Sequence, residues 1–401
     1  MLTLAKNLRT PTMRTLATRA MSSNTVTFNL ENSFQTHNLP EDSVGLMANT
    51  NNTATKEELV DYFKTMYTMR RMEIMCDNEY KARNIRGFCH LYDGQEAIAC
   101  GINDAFTQQD SWITSYRCHC VALLRGGTVA KVLAELFGLQ DGYTKGKGGS
   151  MHFYNKEHNF YGGQGIVGAQ VPVGVGLAFA NKYNTPEGQP MPVSLAAYGD
   201  GAANQGQIWE AANMAALWKL PAIFCCENNS YGMGTSVDRH TSNPGGNYYK
   251  MGNAIPGVKI DGMNVIAVRE GMKFVKEWCG SGKGPLYVEM NTYRYHGHSM
   301  SDPGTTYRSR DEIAATREAR DPIEFVKKTL IENNMLEADE IKKMEKDIRN
   351  HVIAETKVAK ASIQPPAEEL FNYIYSDNGG RESVQKPKFI RMPQYENSVH
   401  N

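Results

Sequence analysis

Two short apolar runs with one helix-like segment between them constrain the fold of this chain more than any other feature. Residues 193–198 and 222–226 each have the length of a buried strand, and 204–219 has apolar residues at helical spacing. The alternation of strands and helices continues, with strands predicted at 265–268 and 286–290 and a helix at 269–279. Strands alternating with helices are typical of a parallel sheet flanked by helices, so the sequence predicts an α/β fold.

The sequence on either side of this region predicts further elements. Upstream, it predicts a strand at 111–116 and helices at 56–84, 93–106 and 129–137; the first helix begins with a capping box made by Thr55 and Glu58. The Gly-rich segment 138–168 shows no clear element. Downstream, residues 322–361 are rich in charged residues and have a helical pattern, which predicts a helical C-terminal extension.

Composition divides the chain into four parts. Residues 1–30 are rich in arginine and hydroxyl side chains and contain no acid, which is typical of a mitochondrial transit peptide. Residues 31–54 are interpreted as a polar linker. We predict that 55–320 form the α/β domain and 321–401 a helical C-terminal region with a tail.

The charge balance excludes some classes of partner. Lys plus Arg and Asp plus Glu each number 43, so no global field calls for nucleic acid or an anionic membrane. The uncharged stretch 159–181 could reach across a bilayer, but its six glycines and Pro172 would make a poor lipid-facing helix. We therefore interpret that stretch as buried and expect no membrane partner.

The eight cysteines are scattered and form no CxxC pair, which predicts free thiols in a reducing compartment. Cys118-His119-Cys120 is the one cluster that resembles a metal site. Tetrahedral zinc sites use wider spacings and a fourth ligand, so buried small residues beside a strand are the better interpretation.

Polar residues follow the two central apolar runs where each predicted strand ends. Gly199-Asp200-Gly201 follows the first, and Glu227-Asn228-Asn229 follows the second. Ligands of parallel sheets bind at the carboxyl ends of the strands, so Asp200 and Asn229 are expected to converge. Their oxygens, with a backbone carbonyl near Tyr231, suit the oxygen preference of Mg²⁺.

The residues after Asp200 predict an anion site beside this metal. Gly201 lets the backbone approach a ligand closely. The helix predicted from residue 204 starts just beyond Ala202, and free amides at a helix start favour an anion such as a diphosphate. A diphosphate would also complete the coordination shell of the metal.

A second glycine motif, Gly163-Gln164-Gly165-Ile166-Val167-Gly168, satisfies the GxGxxG dinucleotide fingerprint. That fingerprint requires a strand before it and an acid at the end of the next strand. No strand-like run precedes this motif, so the sequence predicts no dinucleotide binding.

The Gly-Asp-Gly and Asn-Asn motifs, at this spacing on predicted strand ends, resemble the signature of thiamine diphosphate enzymes. The segments 146–152, 160–172, 199–235 and 293–304 extend the resemblance to the pyruvate dehydrogenase alpha subunits, within the thiamine-diphosphate-dependent 2-oxo acid dehydrogenase family. It covers about residues 55–375. In two places, 155–159 and 185–191, this chain looks longer than the family pattern.

The resemblance implies further cofactor contacts. Tyr116 and Arg117 match residues that contact the diphosphate, for which a fixed guanidinium fork is well suited. Gly165 and Val167 match residues that touch the pyrimidine side through the backbone.

The resemblance also implies active-site histidines and regulatory hydroxyls. His90 and His298 match histidines near the substrate, with His298 also facing the cofactor, and an imidazole there can move protons. Ser299 matches a phosphorylation site, Thr306 a second and Ser236 a third. A phosphate on Ser299 would repel the diphosphate and the substrate carboxylate.

The family implies an oxidoreductase that decarboxylates pyruvate and reductively acetylates a lipoyl group of a dihydrolipoamide acetyltransferase, feeding acetyl-CoA formation. The glutamate that activates the cofactor lies on a separate beta subunit in the family, so a unit of two alpha and two beta chains is expected. A regulatory kinase and phosphatase, and the mitochondrial matrix, are implied too. Two alternatives stay open: an alpha subunit for branched-chain 2-oxo acids or acetoin, and a non-catalytic scaffold with this fold.

Overall fold

The computed structural model describes residues 24–43, 52–243, 245–252 and 254–371. In chain order the strands are β1 (Thr25–Thr27), β2 (Phe34–His37), β3 (Thr53–Thr55), β4 (Ser111–Ser115), β5 (Phe160–Gln164), β6 (Ser194–Gly199), β7 (Ala222–Asn228), β8 (Tyr231–Gly232), β9 (Thr235–Ser236), β10 (Gly257–Asp261) and β11 (Leu286–Asn291). The helices are α1 (Lys56–Lys81), α2 (Glu96–Ala105), α3 (His119–Leu124), α4 (Val129–Leu136), α5 (Gln170–Asn184), α6 (Gly206–Leu217), α7 (Val237–His240), α8 (Val265–Gly280), α9 (Arg310–Arg320), α10 (Pro322–Glu332) and α11 (Ala338–Ala361).

One seven-stranded sheet, in the order β2-β10-β11-β7-β6-β4-β5, forms the centre of the fold. Its strands pair in parallel, except that β2 runs antiparallel to β10 at one edge. Because β6 and β7 are neighbours, the residues that follow them emerge side by side. The predicted α/β fold with a parallel sheet is confirmed.

The central strands are buried on both faces, which explains why their sequences are continuous apolar runs. Along β7, Ile223 and Cys225 face a core shared with α1, α2 and α8. Phe224 and Cys226 point the other way, into a second core under α5 and α6. Side chains alternate across a strand, so every residue of such a run has an apolar neighbourhood.

The first long helix and the C-terminal helices agree with the sequence prediction. The Thr55 hydroxyl accepts from the Glu58 amide at 3.2 Å while the Glu58 carboxylate accepts from the Thr55 amide at 2.7 Å, which completes the capping box. Helices α10 and α11 pack against α1 and place Ile323, Leu330 and Val352 in the first core. The predicted helical C-terminal extension is therefore confirmed for the described residues.

The strand predicted at 265–268 is wrong, because this segment is the first turn of α8. The Asn264 side chain accepts from the amides of Ile266 and Ala267 at 3.0 and 3.3 Å, which caps a helix. The turn is apolar because it is fully buried. The strand of this unit is β10, which the sequence analysis missed.

The polar-linker interpretation of 31–54 is wrong for residues 34–37, which form the edge strand β2. Its backbone pairs with β10, a partner from far along the chain that local sequence does not reveal. Strand β1 likewise pairs with β3, so residues 25–27 belong to the folded part although they lie in the predicted transit peptide. Residues 1–23 lie outside the described residues.

The GxGxxG motif overlaps β5, so the expectation that no strand precedes it is wrong. The fingerprint still fails on topology. The next strand in sequence, β6, which ends before Asp200, is not a neighbour of β5, because β4 lies between them. The GxGxxG motif is therefore separated from Asp200 by two strand spacings, roughly 10 Å.

None of the described helices is both long and apolar enough to cross a membrane. Within the uncharged stretch, α5 buries Val171, Val175 and Ala178 but leaves Val173 and Phe179 about half exposed. The stretch is therefore an amphipathic part of the fold, and its interpretation as wholly buried is wrong.

Candidate functional site

A cavity of about 340 Å³ lies at the carboxyl ends of β4, β6 and β7, where parallel sheets bind their ligands. It brings together most of the residues proposed from the sequence. Those among its lining residues are Tyr116, Arg117, Val167, Asp200, Gly201, Ala202, Asn229, Tyr231 and His298. Gly165 and His90 do not line it.

Asp200 and Asn229 each present a buried oxygen that lacks a hydrogen-bond partner among the described residues. These atoms are Oδ2 of Asp200 and Oδ1 of Asn229. The Asn229 amide nitrogen donates to Gln95 Oε1 at 3.0 Å, which leaves its carbonyl oxygen as the unpaired atom. Buried polar atoms are normally satisfied, so two unpaired oxygens in one cavity fit a missing hard cation.

Tyr231 is one of the lining residues of the cavity. Its phenol hydrogen-bonds the carboxylate of Glu312 at 3.2 Å, in the direction of α9. The side chain is therefore engaged elsewhere, and its backbone carbonyl fits the third oxygen of the expected donor set.

The charge on Asp200 is costly in this environment. Burial raises the pKa of its carboxyl to about 6, although the nearby His240 and the backbone amides of Asp200 and Gly201 lower it. A cation bound to this carboxylate would reverse the effect of burial, because it favours the ionised form.

Glycines allow the two strand-end turns to approach each other. A Cβ atom on Gly201 would lie 3.1 Å from the Cα atom of Gly232, closer than most real contacts. After Gly201 the chain forms a single 3-10 turn, Ala202–Asn204, and α6 begins only at Gly206. The amides next to Asp200 therefore belong to a short turn and not to the α-helix predicted from 204.

Three buried arginines near the cavity lack a carboxylate within ion-pair distance among the described residues: Arg117, Arg294 and Arg308. They donate to backbone carbonyls instead, and Arg294 also donates to the Tyr307 hydroxyl. Carbonyl dipoles do not neutralise a guanidinium, so these positive charges remain available to a ligand. Guanidinium groups of this kind suit an anion such as a diphosphate or a carboxylate.

Arg117 also ties together the two loops that carry the candidate histidines. Its guanidinium donates to the carbonyl of Leu91 at 2.5 Å and to that of His298 at 2.9 Å. The Met300 amide donates to the Cys89 carbonyl at 2.8 Å, which adds a direct contact between the loops. The structure thus assigns Arg117 a positioning contact that the sequence did not indicate.

His90 packs against His298, which lines the cavity. Their ring centroids are 5.4 Å apart, and Tyr116 packs against both, at 4.4 Å from His90 and 5.4 Å from His298. Burial, together with the positive charge of Arg117, lowers the pKa of His90 to about 2 and that of His298 to about 3. Both imidazoles are therefore neutral at physiological pH in the chain on its own.

A buried hydrogen-bonded chain lies behind His90. The carboxylate of Glu73 contacts His119 Nδ1 at 2.9 Å, and His119 Nε2 contacts the Ser150 hydroxyl at 2.8 Å. That hydroxyl accepts from the backbone amide of His90 at 3.3 Å. Glu73, His119 and Cys76 lie close enough to resemble a metal cluster, but the carboxylate and the imidazole already have partners. All eight cysteines are free and buried.

The two positions expected on the pyrimidine side differ in exposure. Val167 is 41% exposed at the rim of the cavity, and its carbonyl accepts from the Gln207 side chain at 3.1 Å. Gly165 is partly buried beside His152, whose ring is the nearest neighbour of a Cβ built at this position. The structure therefore brings Val167, but not Gly165, to the cavity.

The loop that carries Ser299 is organised around one carboxylate. Asp302 accepts from the His298 amide at 2.6 Å, from the Gly304 amide at 2.9 Å and from the Tyr307 hydroxyl at 2.5 Å. Ser299 is buried, and its hydroxyl lies 2.9 Å from that of Ser301. A phosphate at this position would have to be placed beside Asp302, where like charges repel.

The other two predicted phosphorylation sites lie in different surroundings. Thr306 is exposed. Ser236 is half-buried in β9, paired with Tyr231, and lines a neighbouring cavity of about 380 Å³. Neither one lines the cavity that holds Asp200.

Among the lining residues of the cavity that sequence reasoning did not propose, two have titratable side chains, Glu227 and His240. Glu227 is the charged residue in an otherwise apolar strand, which was the available signal. Burial raises its pKa to about 7, although the hydrogen bond from Tyr92 lowers it. His240 lies at the end of α7, and no local pattern marks it as a cavity residue.

Comparisons with known proteins place the chain in a family. Residues 64–368 match the model of the Dehydrogenase E1 component family. The alpha-1 subunit of the mitochondrial pyruvate dehydrogenase E1 component from Oryza sativa subsp. japonica is 52% identical over 370 residues, 92% of each chain. The alpha-1 subunit from Arabidopsis thaliana is 55% identical, with 82% of this chain and 83% of the relative covered, and the human somatic form is 51% identical, with 81% of each covered.

These relatives are mitochondrial by name, in agreement with the localisation expected from the first thirty residues. The family model covers most of the chain, and the sequence identities to the relatives exceed 50%. Proteins this similar share one fold. This chain therefore belongs to the dehydrogenase E1 component family, among the relatives of mitochondrial pyruvate dehydrogenase alpha subunits.

Proposed function

We propose that this chain is the alpha subunit of a mitochondrial pyruvate dehydrogenase and holds the diphosphate end of thiamine diphosphate through Mg²⁺. The observation that carries the proposal is the pair of buried oxygens without hydrogen-bond partners on Asp200 and Asn229, in a cavity also lined by Arg117, which has no ion pair among the described residues. The first feature suits a hard divalent cation and the second suits the anionic cofactor. The family to which the chain belongs depends on thiamine diphosphate.

The residues of the chain have distinct proposed roles at this site. Asp200, Asn229 and the carbonyl of Tyr231 hold the metal, and the backbone at Gly201 and Ala202 faces the diphosphate. Tyr116 and Arg117 contact its phosphate oxygens. Gly165 and Val167 contact the pyrimidine side through the backbone, a role that the exposed position of Val167 allows.

The reaction proposed is decarboxylation of pyruvate, followed by reductive acetylation of a lipoyl group. Thiamine diphosphate, when bound, supplies the electron sink for that decarboxylation. His90 and His298, neutral in the free chain, can donate a hydrogen bond to the substrate or move a proton. The anions of substrate and cofactor would raise the pKa of both imidazoles, because they favour the protonated form.

The partners proposed are a beta subunit, in a unit of two alpha and two beta chains, and a lipoyl-bearing dihydrolipoamide acetyltransferase. Large apolar side chains are exposed on α5 and α6 beside the cavity, which supports burial by another chain. They are Val173, Phe179, Tyr183, Trp209, Met214 and Leu217. A regulatory kinase and a phosphatase acting at Ser299, with Thr306 and Ser236 as further sites, complete the proposal.

The proposal also covers mitochondrial targeting and the bounds of the domain. A transit peptide within the first thirty residues would direct the chain to the mitochondrial matrix, and its removal before Thr25 would keep β1 intact. The α/β domain would end near residue 320, followed by the C-terminal helices.

Calorimetry on the chain reconstituted with its beta subunit tests the proposal. Thiamine diphosphate should bind only with a divalent cation present, and the loaded complex should turn over pyruvate in preference to branched-chain 2-oxo acids or acetoin. Asp200→Asn should abolish the cation-dependent binding, whereas Asp238→Asn, at an exposed position outside the cavity, should leave it intact. Unchanged binding by Asp200→Asn, or the absence of turnover by the wild-type complex, would contradict the proposal.

A further inference from the structure

We propose that His240 sets the metal preference of this site, acting as a nitrogen donor that makes the centre favour Mn²⁺ over Mg²⁺ more than an all-oxygen site would. The inference rests on the proposed function, because it requires a divalent cation at Asp200 and Asn229. It concerns a residue that the sequence did not mark and that the tertiary structure alone brings to the cavity.

The hydrogen bonds of His240 assign its tautomer. Its Nδ1 atom lies 3.1 Å from the backbone carbonyl of Thr235, and a carbonyl oxygen only accepts. Nδ1 therefore carries the hydrogen, and Nε2 of the neutral ring carries a lone pair. A backbone carbonyl on the opposite ring nitrogen is the usual arrangement behind a metal-binding imidazole, because it fixes the ring and its tautomer.

In the neutral ring, the lone pair of His240 Nε2 lies close to an oxygen of Asp200. The distance from Nε2 to Asp200 Oδ2 is 3.6 Å, too long for a hydrogen bond, and Oδ2 has no hydrogen-bond partner among the described residues. Two donors bonded to one cation at roughly 2.1 Å lie about 3 to 3.5 Å apart. The observed separation therefore needs only a small adjustment for one ion to bind both atoms.

Tyr248 competes for the same lone pair. Its hydroxyl lies 2.8 Å from His240 Nε2, and the tautomer requires the hydroxyl to be the donor. Tyr248 is almost fully buried, and burial raises its pKa, so the phenol stays protonated. A hydroxyl rotates about its C–O bond, which lets an arriving cation displace this hydrogen bond.

The ligand chemistry gives the direction of the preference. Mg²⁺ takes oxygen ligands in octahedral geometry and keeps its water tightly. Mn²⁺ also takes oxygen ligands, but as a first-row transition ion it accepts an imidazole nitrogen more readily than Mg²⁺ does. Replacing one water with an imidazole should therefore favour Mn²⁺ relative to Mg²⁺.

Electron paramagnetic resonance on the reconstituted alpha–beta complex with thiamine diphosphate tests this idea. Free Mn²⁺ is counted from its signal and Mg²⁺ is titrated as a competitor, which gives the ratio of the two dissociation constants. His240→Gln restores an oxygen donor of similar size and should lower the Mn²⁺ preference about tenfold. His351→Gln, at an exposed position on α11, is the control and should leave the ratio unchanged.

Two further readouts separate ligation from packing. Pulsed electron paramagnetic resonance should show hyperfine coupling of bound Mn²⁺ to a nitrogen nucleus in the wild type. That coupling should be lost in His240→Gln. Tyr248→Phe, which removes the competing hydroxyl, should raise the Mn²⁺ preference. A merely structural His240 would give neither effect.

These experiments distinguish a failure of the proposed role of His240 from a failure of the proposed function. Cation-dependent cofactor binding by the wild type without nitrogen coupling to Mn²⁺ would overturn the role of His240 and leave the proposed function standing. An unchanged ratio in a folded His240→Gln complex would overturn it equally. If no divalent cation promoted cofactor binding to the wild type, the proposed function would fall, and this inference with it.

Discussion

Replacing Glu227 with glutamine tests how strongly the interior opposes a charge at the end of β7. Burial raises the pKa of this carboxyl from 4.5 to about 7, against the hydrogen bond from Tyr92 and the charge of Arg117. The unfolded carboxyl keeps its ordinary pKa, so the folded chain binds the proton more tightly. The stability that this group contributes is therefore fully present below about pH 4.5 and is lost as the pH rises through about 7.

The pKa shift gives the size of the effect. It corresponds to about 3 kcal/mol in all, of which roughly 2 to 3 kcal/mol is lost between pH 5 and pH 8. Glutamine stays neutral and can still accept from the Tyr92 hydroxyl. We therefore expect the free energy of unfolding of Glu227→Gln, relative to wild type, to rise by that amount between the two pH values.

Urea denaturation followed by circular dichroism, at pH 5 and pH 8, measures the difference. Glu318→Gln, at an exposed position on α9, is the matched control and should show no comparable change. A stability difference between Glu227→Gln and wild type that is equal at both pH values would refute the reasoning, since it would mean that the folded chain carries this charge without penalty.

Three further predictions concern the reconstituted enzyme. Ser299→Glu should lose most pyruvate turnover, because the added charge lies beside the carboxylate of Asp302, whereas Thr306→Glu at an exposed site should retain more. Full activity of Ser299→Glu would contradict the proposed regulation by phosphorylation at this site. Arg117→Lys should lower kcat about tenfold or more, because an ammonium cannot span both loop carbonyls, and steady-state kinetics would show it. Ser150→Ala should lower kcat with little change in KM by loosening His90, and equal kinetics to wild type would exclude a positioning role.

The elements that the sequence predicted well are those with a strong local pattern. The capping box at Thr55 places the start of α1 correctly, and the buried runs at β6, β7 and β11 have the periodicity and length of interior strands. The motifs at Asp200 and Asn229 follow two of these strands directly. Their convergence was predictable because neighbouring parallel strands end at the same edge of a sheet.

The elements that were missed depend on distant partners. Strand β2 is polar and short, and it exists because β10 offers a sheet edge to pair with. The turn at Val265 is as apolar as a strand because the helix there is buried, and apolarity alone does not separate the two. Strand β5 is rich in glycine, so it carries little of the side-chain pattern on which the prediction relied.

The sequence by itself determined the α/β fold, the two strand ends and the chemical types of the proposed metal donors, because each is encoded by residues close together in the chain. Only the tertiary structure decided that Arg117 bridges the two histidine loops, that burial raises the pKa of Glu227, and that His240 lies beside Asp200. Burial, charge and coordination depend on distances between atoms from remote segments, and those distances exist only once the chain has folded.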